Sequence, residues 1–290
     1  IFAEMKRTGA KHVWLSMENI DKKEIIGHFK HIYEKCLKEE YSFEYLTAKR
    51  LELIQRIGKA VFMKRLLLFS RSRNGLSYSV GFFLDEFGAL IPISEPAFCY
   101  FPTKEMTGLN FLIHAPFLLT DSREGIRAGI PHNVELINLL AKLAADAIVC
   151  LRDIGLKKGV RLLNDDLVLI IPMDKGVFCE PDDVHRISFQ PFYTAIKETF
   201  ATQSVLPTRT GYTSSKHAYW ASNPTLANLI SEEQLAKITG DEKSAWIFPS
   251  LSREETQRGR RAIFDYINDV SVGVNEKYFL TQIDAHFIER

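Results

Sequence analysis

Cysteine is scarce in this chain, charge of either sign barely dominates, and no apolar stretch is long, and each shortage removes a class of protein. Only four cysteines occur, Cys36, Cys99, Cys150 and Cys179, and no two stand in a Cys-x-x-Cys spacing. Neither a disulfide framework nor a zinc motif is supported, so a reducing cytoplasm is the expected setting. Cys99 and Cys150 fall within apolar runs, where a free thiol behaves as a small buried hydrophobe. No apolar run approaches the roughly 20 residues that span a bilayer, and the opening residues do not read as a signal peptide. No membrane contact is expected. Lys plus Arg number 37 against 36 for Asp plus Glu, a formal net charge of +1. That balance argues against a protein whose main task is neutralising nucleic-acid phosphates.

What is present is an ordinary globular composition. The chain has 290 residues, 46% hydrophobic and 25% charged, enough for one large domain or two smaller ones. It opens Ile1-Phe2-Ala3 without an initiator Met, so a piece of something longer is expected.

His12 to Met17 reads as a short strand. From Asp21 the period changes, with Ile25, Ile26, Phe29, Ile32, Tyr33, Cys36 and Leu37 recurring at three and four residue steps. That predicts an amphipathic helix capped by Asp21, and Leu46 to Ile57 reads as a second helix. Arg65–Arg71 and Leu76–Leu84 read as strands joined by an Asn74-Gly75 hairpin turn. Asp85-Glu86-Phe87-Gly88 is a further turn leading to Ala89–Ile93. Phe98–Phe101 and Leu109–Leu119 are predicted strands, separated by a Lys104–Gly108 turn.

Asn133 to Ile154 carries Val134, Ile137, Leu140, Ala141, Ala144 and Ile148 on one face and Leu136, Leu139, Leu143 and Ala147 on another. It predicts a helix buried on two sides, with His132 at its cap and Gly155 and Lys157-Lys158-Gly159 at its end. Leu167–Ile171 reads as a strand stopping at Pro172. Pro191 opens a helix through Phe200, and Ser231-Glu-Glu-Gln234 and Ser252-Arg-Glu-Glu255 read as capping boxes. The expected domains are residues 1–181, α/β with a helical insertion near 21–60, and 182–290, smaller and mostly helical.

The most informative stretch is Phe111 to Ile126, an apolar strand running into a polar turn with Thr120, Asp121, Ser122, Arg123 and Glu124. A guanidinium fixed at the end of a buried strand stands on rigid scaffold, as a group meeting a phosphate should. Two readings are open on local pattern. Asp121-x-x-Glu124 is a capping box with a solvated Arg123, or Arg123 is functional. Ser252-Arg253-Glu254 repeats the tripeptide in a setting where capping suffices.

Other candidates are weaker. His28 and His31 stand one helical turn apart without an evident third ligand. His114 reads as a core histidine, and His185 and His217 are isolated. Asp165-Asp166 and Asp182-Asp183 could hold Mg²⁺, though loop and cap roles explain them more simply. With the histidines they leave a self-contained metal enzyme as a third, weaker reading. Lys64-Arg65, Arg71, Arg73 and Lys157-Lys158-Arg161 read as solvated basic faces. Tyr219-Trp220 and Trp246 read equally as partner anchors or as core.

Tyr100-Phe101-Pro102-Thr103, Thr107-Gly108-Leu109 and Ala115-Pro116-Phe117-Leu-Leu-Thr-Asp-Ser-Arg-Glu together resemble the segment that follows the ATPase domain in heat-shock-protein-90-like and sacsin-like proteins. Leu119-Thr-Asp-Ser-Arg-Glu124 is similar to the Leu-Asn-x-Ser-Arg-Glu of the chaperone's middle domain, with Thr120 in place of Asn. The resemblance is most specific over Arg65–Ile154 and extends more weakly to Val270. It implies an α+β transducer-type fold, a mixed sheet with helices packed on one face, followed by a small mostly helical subdomain. It also implies that Arg123 contacts the terminal phosphate of ATP bound by an upstream GHKL domain, with Thr120 and Ser122 beside it at the nucleotide. A planar guanidinium matches phosphate oxygens, and phosphoryl transfer is catalysed mainly by positioning and charge.

Neither a Gly-x-x-x-x-Gly-Lys-Ser/Thr loop nor a Gly-x-Gly-x-x-Gly fingerprint occurs. ATP and Mg²⁺ are therefore expected to be held mainly by the upstream domain, not tightly by this chain. The alternative is a non-catalytic scaffold for clients or protein partners.

Overall fold

The computed structural model describes residues 3–7, 10–15, 32–44, 46–57, 60–164, 166–181, 186–221, 224–247, 266, 272–274 and 281. The fold is α+β with a mixed sheet. Its strands are β1 (Ala3–Arg7), β2 (Ala10–Leu15), β3 (Ile32–Ser42), β4 (Thr47–Ile57), β5 (Ala60–Arg73), β6 (Leu76–Leu84), β7 (Leu90–Ile91), β8 (Pro96–Cys99), β9 (Phe101–Met106) and β10 (Leu112–His114). They are ordered β1-β2-β3-β4-β5-β6-β10-β8-β9, with β7 beside β6. Among the described residues of this sheet, β10 and β8 alone pair in parallel, at His114 and Phe98. The β5–β6 hairpin turns where expected, with Asn74 and Gly75 both at positive φ, 51° and 77°. Two such residues give the mirror-image turn that matches strand twist.

Both faces of the sheet's centre are dry. Paired residues share a face, so Ala48, Phe69 and Val80 lie on one side and Leu51, Leu66 and Phe83 on the other. On the first side Phe69, Val80, Phe82, Phe111 and Ile113 are at most 1% exposed. Helices cover that side. Arg71 of β5 pairs with Asp146 of α1 (Pro131–Lys158) at 3.0 Å, and the Phe111 ring lies 6.0 Å from Phe192 of α3 (Gln190–Thr202). Burying one such phenylalanine stabilises the fold by roughly 2–3 kcal/mol. The second side holds a cluster of Leu51, Leu53, Leu66, Phe83, Phe98 and Leu112.

The helical insertion expected near 21–60 is corrected here. Residues 16–31 lie outside the described residues, but 32–42 and 47–57 are the long strands of a hairpin. Two features imitate a helical period. The register shifts between Leu37 and Glu39, inserting a residue into the alternation. From Leu46 into β4 the buried positions run Leu46, Ala48, Leu51, Leu53, because the strand is covered on alternate faces. The charges that resemble a helix surface are cross-strand pairs instead, Glu39 opposite Arg50 and Glu40 opposite Lys49.

Smaller corrections follow the same logic. The expected Lys104–Gly108 turn is in part strand β9, and the chain reverses at Tyr100, whose φ is +62°. Leu109–Leu119 is a strand only over Leu112–His114. Leu167–Ile170 is a short helix, α2, not a strand.

Backbone contacts divide the chain into two compact units, residues 1–147 with 177–192, and residues 148–176 with 193–290. The sequence reading places one boundary at 181, whereas these units interleave, since α1 and α3 each run across a boundary. At its end α1 closes with the Gly159 amide on the Leu156 carbonyl (3.2 Å) and the Val160 amide on the Gly155 carbonyl (2.9 Å). That is the paired-bond stop that wants glycine at positive φ, here 66° at Gly159. The close return also demands Gly155, where an added Cβ would sit 2.7 Å from the Val160 carbonyl oxygen.

The second unit is less helical than expected. An antiparallel pair, β11 (Leu206–Pro207) and β12 (Tyr212–Thr213), and a three-stranded parallel sheet, β14 (Ala245–Trp246), β13 (Ala218–Ala221) and β15 (Val272–Val274), accompany α4 (Pro224–Leu229) and α5 (Glu232–Thr239). The Ser231–Gln234 capping box opens α5 as predicted. Its counterpart at Ser252 lies outside the described residues.

Candidate functional site

The three residues singled out by sequence, Thr120, Ser122 and Arg123, share one tight turn. The chain leaves β10 through Ala115, whose amide reaches the Phe98 carbonyl at 3.1 Å, and Phe117 is buried at 4% exposure. Leu119 and Ile126 then pair as an antiparallel bridge. Inside the bridge the Thr120 amide donates to the Gly125 carbonyl (2.9 Å), and the Arg123 amide to the Thr120 carbonyl (2.8 Å). The Thr120 hydroxyl accepts from the Gly125 amide and meets the Ser122 hydroxyl, each at 3.2 Å. The threonine thus does locally what an asparagine would do, satisfying backbone in the turn.

The Asp121-x-x-Glu124 capping box does not form. No helix begins there, and α1 starts at Pro131. Asp121 instead binds Arg127 at 2.6 Å, and Glu124 binds Lys104 at 2.5 Å. Both pairs are exposed and stabilise by no more than about 1 kcal/mol. Their consequence is electrostatic bookkeeping within the loop: two acids neutralise two bases. Arg123 is exposed and makes no side-chain hydrogen bond or ion pair with any described residue. Its backbone sits at φ +59°, a left-handed conformation uncommon for a residue with a Cβ.

Three residues outside the expected set hold this turn. The Lys104 amide of β9 donates to the Glu124 carbonyl at 2.6 Å, and Glu105 accepts from the Ile126 amide at 3.3 Å. Asn133, in the first turn of α1 and 0% exposed, bonds both flanks of the loop. Its carboxamide oxygen accepts from the Leu118 amide at 2.8 Å. Its nitrogen donates to the Leu118 carbonyl at 2.8 Å and to the Arg127 carbonyl at 2.7 Å. Nothing in the sequence marks Asn133 beyond an ordinary helix start, since its partners are backbone groups. His132, expected to cap the helix, meets the Pro116 carbonyl at 3.2 Å.

Several of the remaining candidates among the described residues serve the fold. Burial lowers the His114 pKa to about 4, and its ring lies edge-on to Tyr100 at 5.9 Å, so it stays neutral near pH 7. Burial pushes the Cys99 thiol up, and its sulfur donates to the Phe117 carbonyl. His217 binds Asp241 at 2.8 Å. Burial would raise that carboxyl's pKa, but hydrogen bonds and charge from His217 and Lys243 hold it below the usual range. Trp246 and Tyr219 are 2% and 8% exposed, and the indole nitrogen donates to the Ile230 carbonyl at 2.9 Å. The partner-anchor reading of these two is overturned: both are core. Arg71 pairs with Asp146, Arg65 with Glu52, and Arg161 bonds two carbonyls, so these cations serve the fold.

Among the described residues no group of three or more His, Cys, Asp or Glu could hold a metal ion, and no helix is long and apolar enough to cross a membrane. His28, His31, Asp165, Asp182, Asp183 and His185 lie outside the described residues. Among the described residues the Arg123 guanidinium thus has no side-chain partner. Comparison with known protein families, with curated proteins and with solved structures finds no match to this chain.

Proposed function

We propose that this chain is the middle, transducer segment of a heat-shock-protein-90-like ATPase and that Arg123 is its catalytic contribution. The nucleotide and its Mg²⁺ belong to an upstream GHKL domain, which supplies the phosphate chemistry. This chain presents Arg123 to the terminal phosphate, where a planar guanidinium offers forked donors to oxygens that gain charge during transfer. Thr120 and Ser122 shape the turn and add hydroxyls beside it. Closure of the two domains brings the arginine to the phosphate, so ATP state and domain arrangement are coupled.

The observation that carries this reading is the state of Arg123. Its neighbours neutralise one another, its own charge is left facing solvent, and its backbone adopts a conformation that costs energy. Such a residue is retained in that conformation only if its surroundings hold it there, and strain of this kind concentrates at functional sites.

The test is ATP turnover by the full-length protein carrying Arg123→Ala. Loss of roughly 10³-fold in kcat with little change in ATP affinity is expected. Arg123→Lys should recover only part, because a point charge lacks the guanidinium fork. Unchanged turnover in Arg123→Ala rejects the reading and leaves the non-catalytic scaffold for clients or partners in its place.

A further inference from the structure

We infer that Asn133 is the positioning residue for Arg123, locking the arginine turn to the first turn of α1. The inference rests on the reading of Arg123 given above and names how that residue is aimed. A ten-residue excursion from Leu118 to Arg127 is closed near its base by the Leu119–Ile126 bridge and by the Arg127 amide on the Leu118 carbonyl at 3.0 Å. Lys104 and Glu105 of β9 tie the returning arm at Glu124 and Ile126, and the Asn133 carboxamide fixes the base, because one rigid planar group grips Leu118 on one flank and Arg127 on the other.

The geometry suits amide and no other side chain. One acceptor faces an N–H and two donors face two carbonyls, which uses the donor and acceptor inventory of asparagine at full burial. Aspartate would put a carboxylate against the Leu118 and Arg127 carbonyls. Leucine would leave the Leu118 amide and the Arg127 carbonyl without these partners, while the Leu118 carbonyl would keep only the Arg127 amide. The platform under the amide is a 28-residue helix, so the arginine is aimed by a rigid element and not by a loop. Pro131 and Gly129 frame the approach to that helix. Gly129 takes φ +66° in open space, which turns the chain from Arg127 into the helix so that Asn133 faces back on the loop.

Misplacing a catalytic group by about 1 Å can cost on the order of 10²-fold in rate. In the full-length protein, Asn133→Asp is expected to lower kcat by about that factor, with KM for ATP changed less than about twofold because the nucleotide is held elsewhere. Placed on Arg123→Ala, the same substitution should lower turnover by less than about twofold further, since an arginine that is absent can no longer be misaimed. Equal effects in both backgrounds overturn the inference and make Asn133 a merely structural residue. A separate readout is amide hydrogen exchange over Leu118–Arg127, which should speed up in Asn133→Asp while β5 and β6 stay protected. Unchanged exchange also overturns it. If Asn133→Asp does not fold, Asn133→Ser keeps a small hydroxyl that can hold one of the three bonds, and the same two comparisons apply. An ineffective Arg123→Ala alone sinks the parent reading and this role with it, whereas an effective Arg123→Ala with additive Asn133 effects sinks only this role.

Discussion

Replacing Arg123 with glycine tests whether the turn is strained for function. At φ +59° a residue with a Cβ suffers a steric penalty of roughly 1–2 kcal/mol that glycine escapes. Glycine also widens the unfolded ensemble, which destabilises by about 0.4–1 kcal/mol. The Arg123 side chain is exposed and unpartnered among the described residues, so its removal costs little else. The difference leaves Arg123→Gly more stable than the parent by about 0.5–1 kcal/mol. Arg123→Ala keeps the strained backbone and gains nothing comparable, so the glycine variant should exceed the alanine variant. Urea unfolding of both variants, followed by circular dichroism with a common slope, reads this directly. Under the proposed function both variants lose turnover, which would make Arg123→Gly a stabilised and inactive protein. An Arg123→Gly variant less stable than Arg123→Ala refutes the reasoning, because the left-handed conformation would then carry no penalty.

Two further outcomes follow from the core. His114 has a folded-state pKa of about 4 against an ordinary 6.5, so the unfolded chain takes up the proton first as pH falls. Stability that is complete above pH 6.5 should drop by on the order of 2–3 kcal/mol by pH 4; a His114→Gln variant with the same acid slope in urea unfolding would contradict this. Trp246→Phe removes the donor to the Ile230 carbonyl in a 2% exposed site and should destabilise the second unit by about 1–3 kcal/mol. Unaltered exchange protection in α5 would show that the indole is not seated as described.

Some features were legible because they depend on neighbours along the chain. The Asn74-Gly75 hairpin, the long apolar helix with its glycine stop and the Ser231–Gln234 capping box are all local chemistry. The strands 32–42 and 47–57 were misread because their pattern reflects a sheet covered alternately on two faces and a register shift. Neither is written into the strand itself. In the same way Tyr219 and Trp246 could be anchors or core on composition, and only packing against Ile230 and Leu235 decides.

At the arginine turn the division is similar. The residue types Thr120, Ser122 and Arg123 and their order were readable, and so was the apolar run preceding them. That Asp121 and Glu124 neutralise Arg127 and Lys104 instead of capping a helix was not, since Lys104 arrives from another strand. Asn133 was invisible for a related reason: a buried amide bonded to backbone carries no sequence signature, because every residue supplies the same N–H and C=O. Local order along the chain set the turn and the helix, while long-range contacts chose the partner of Glu124 and seated Asn133 against the loop.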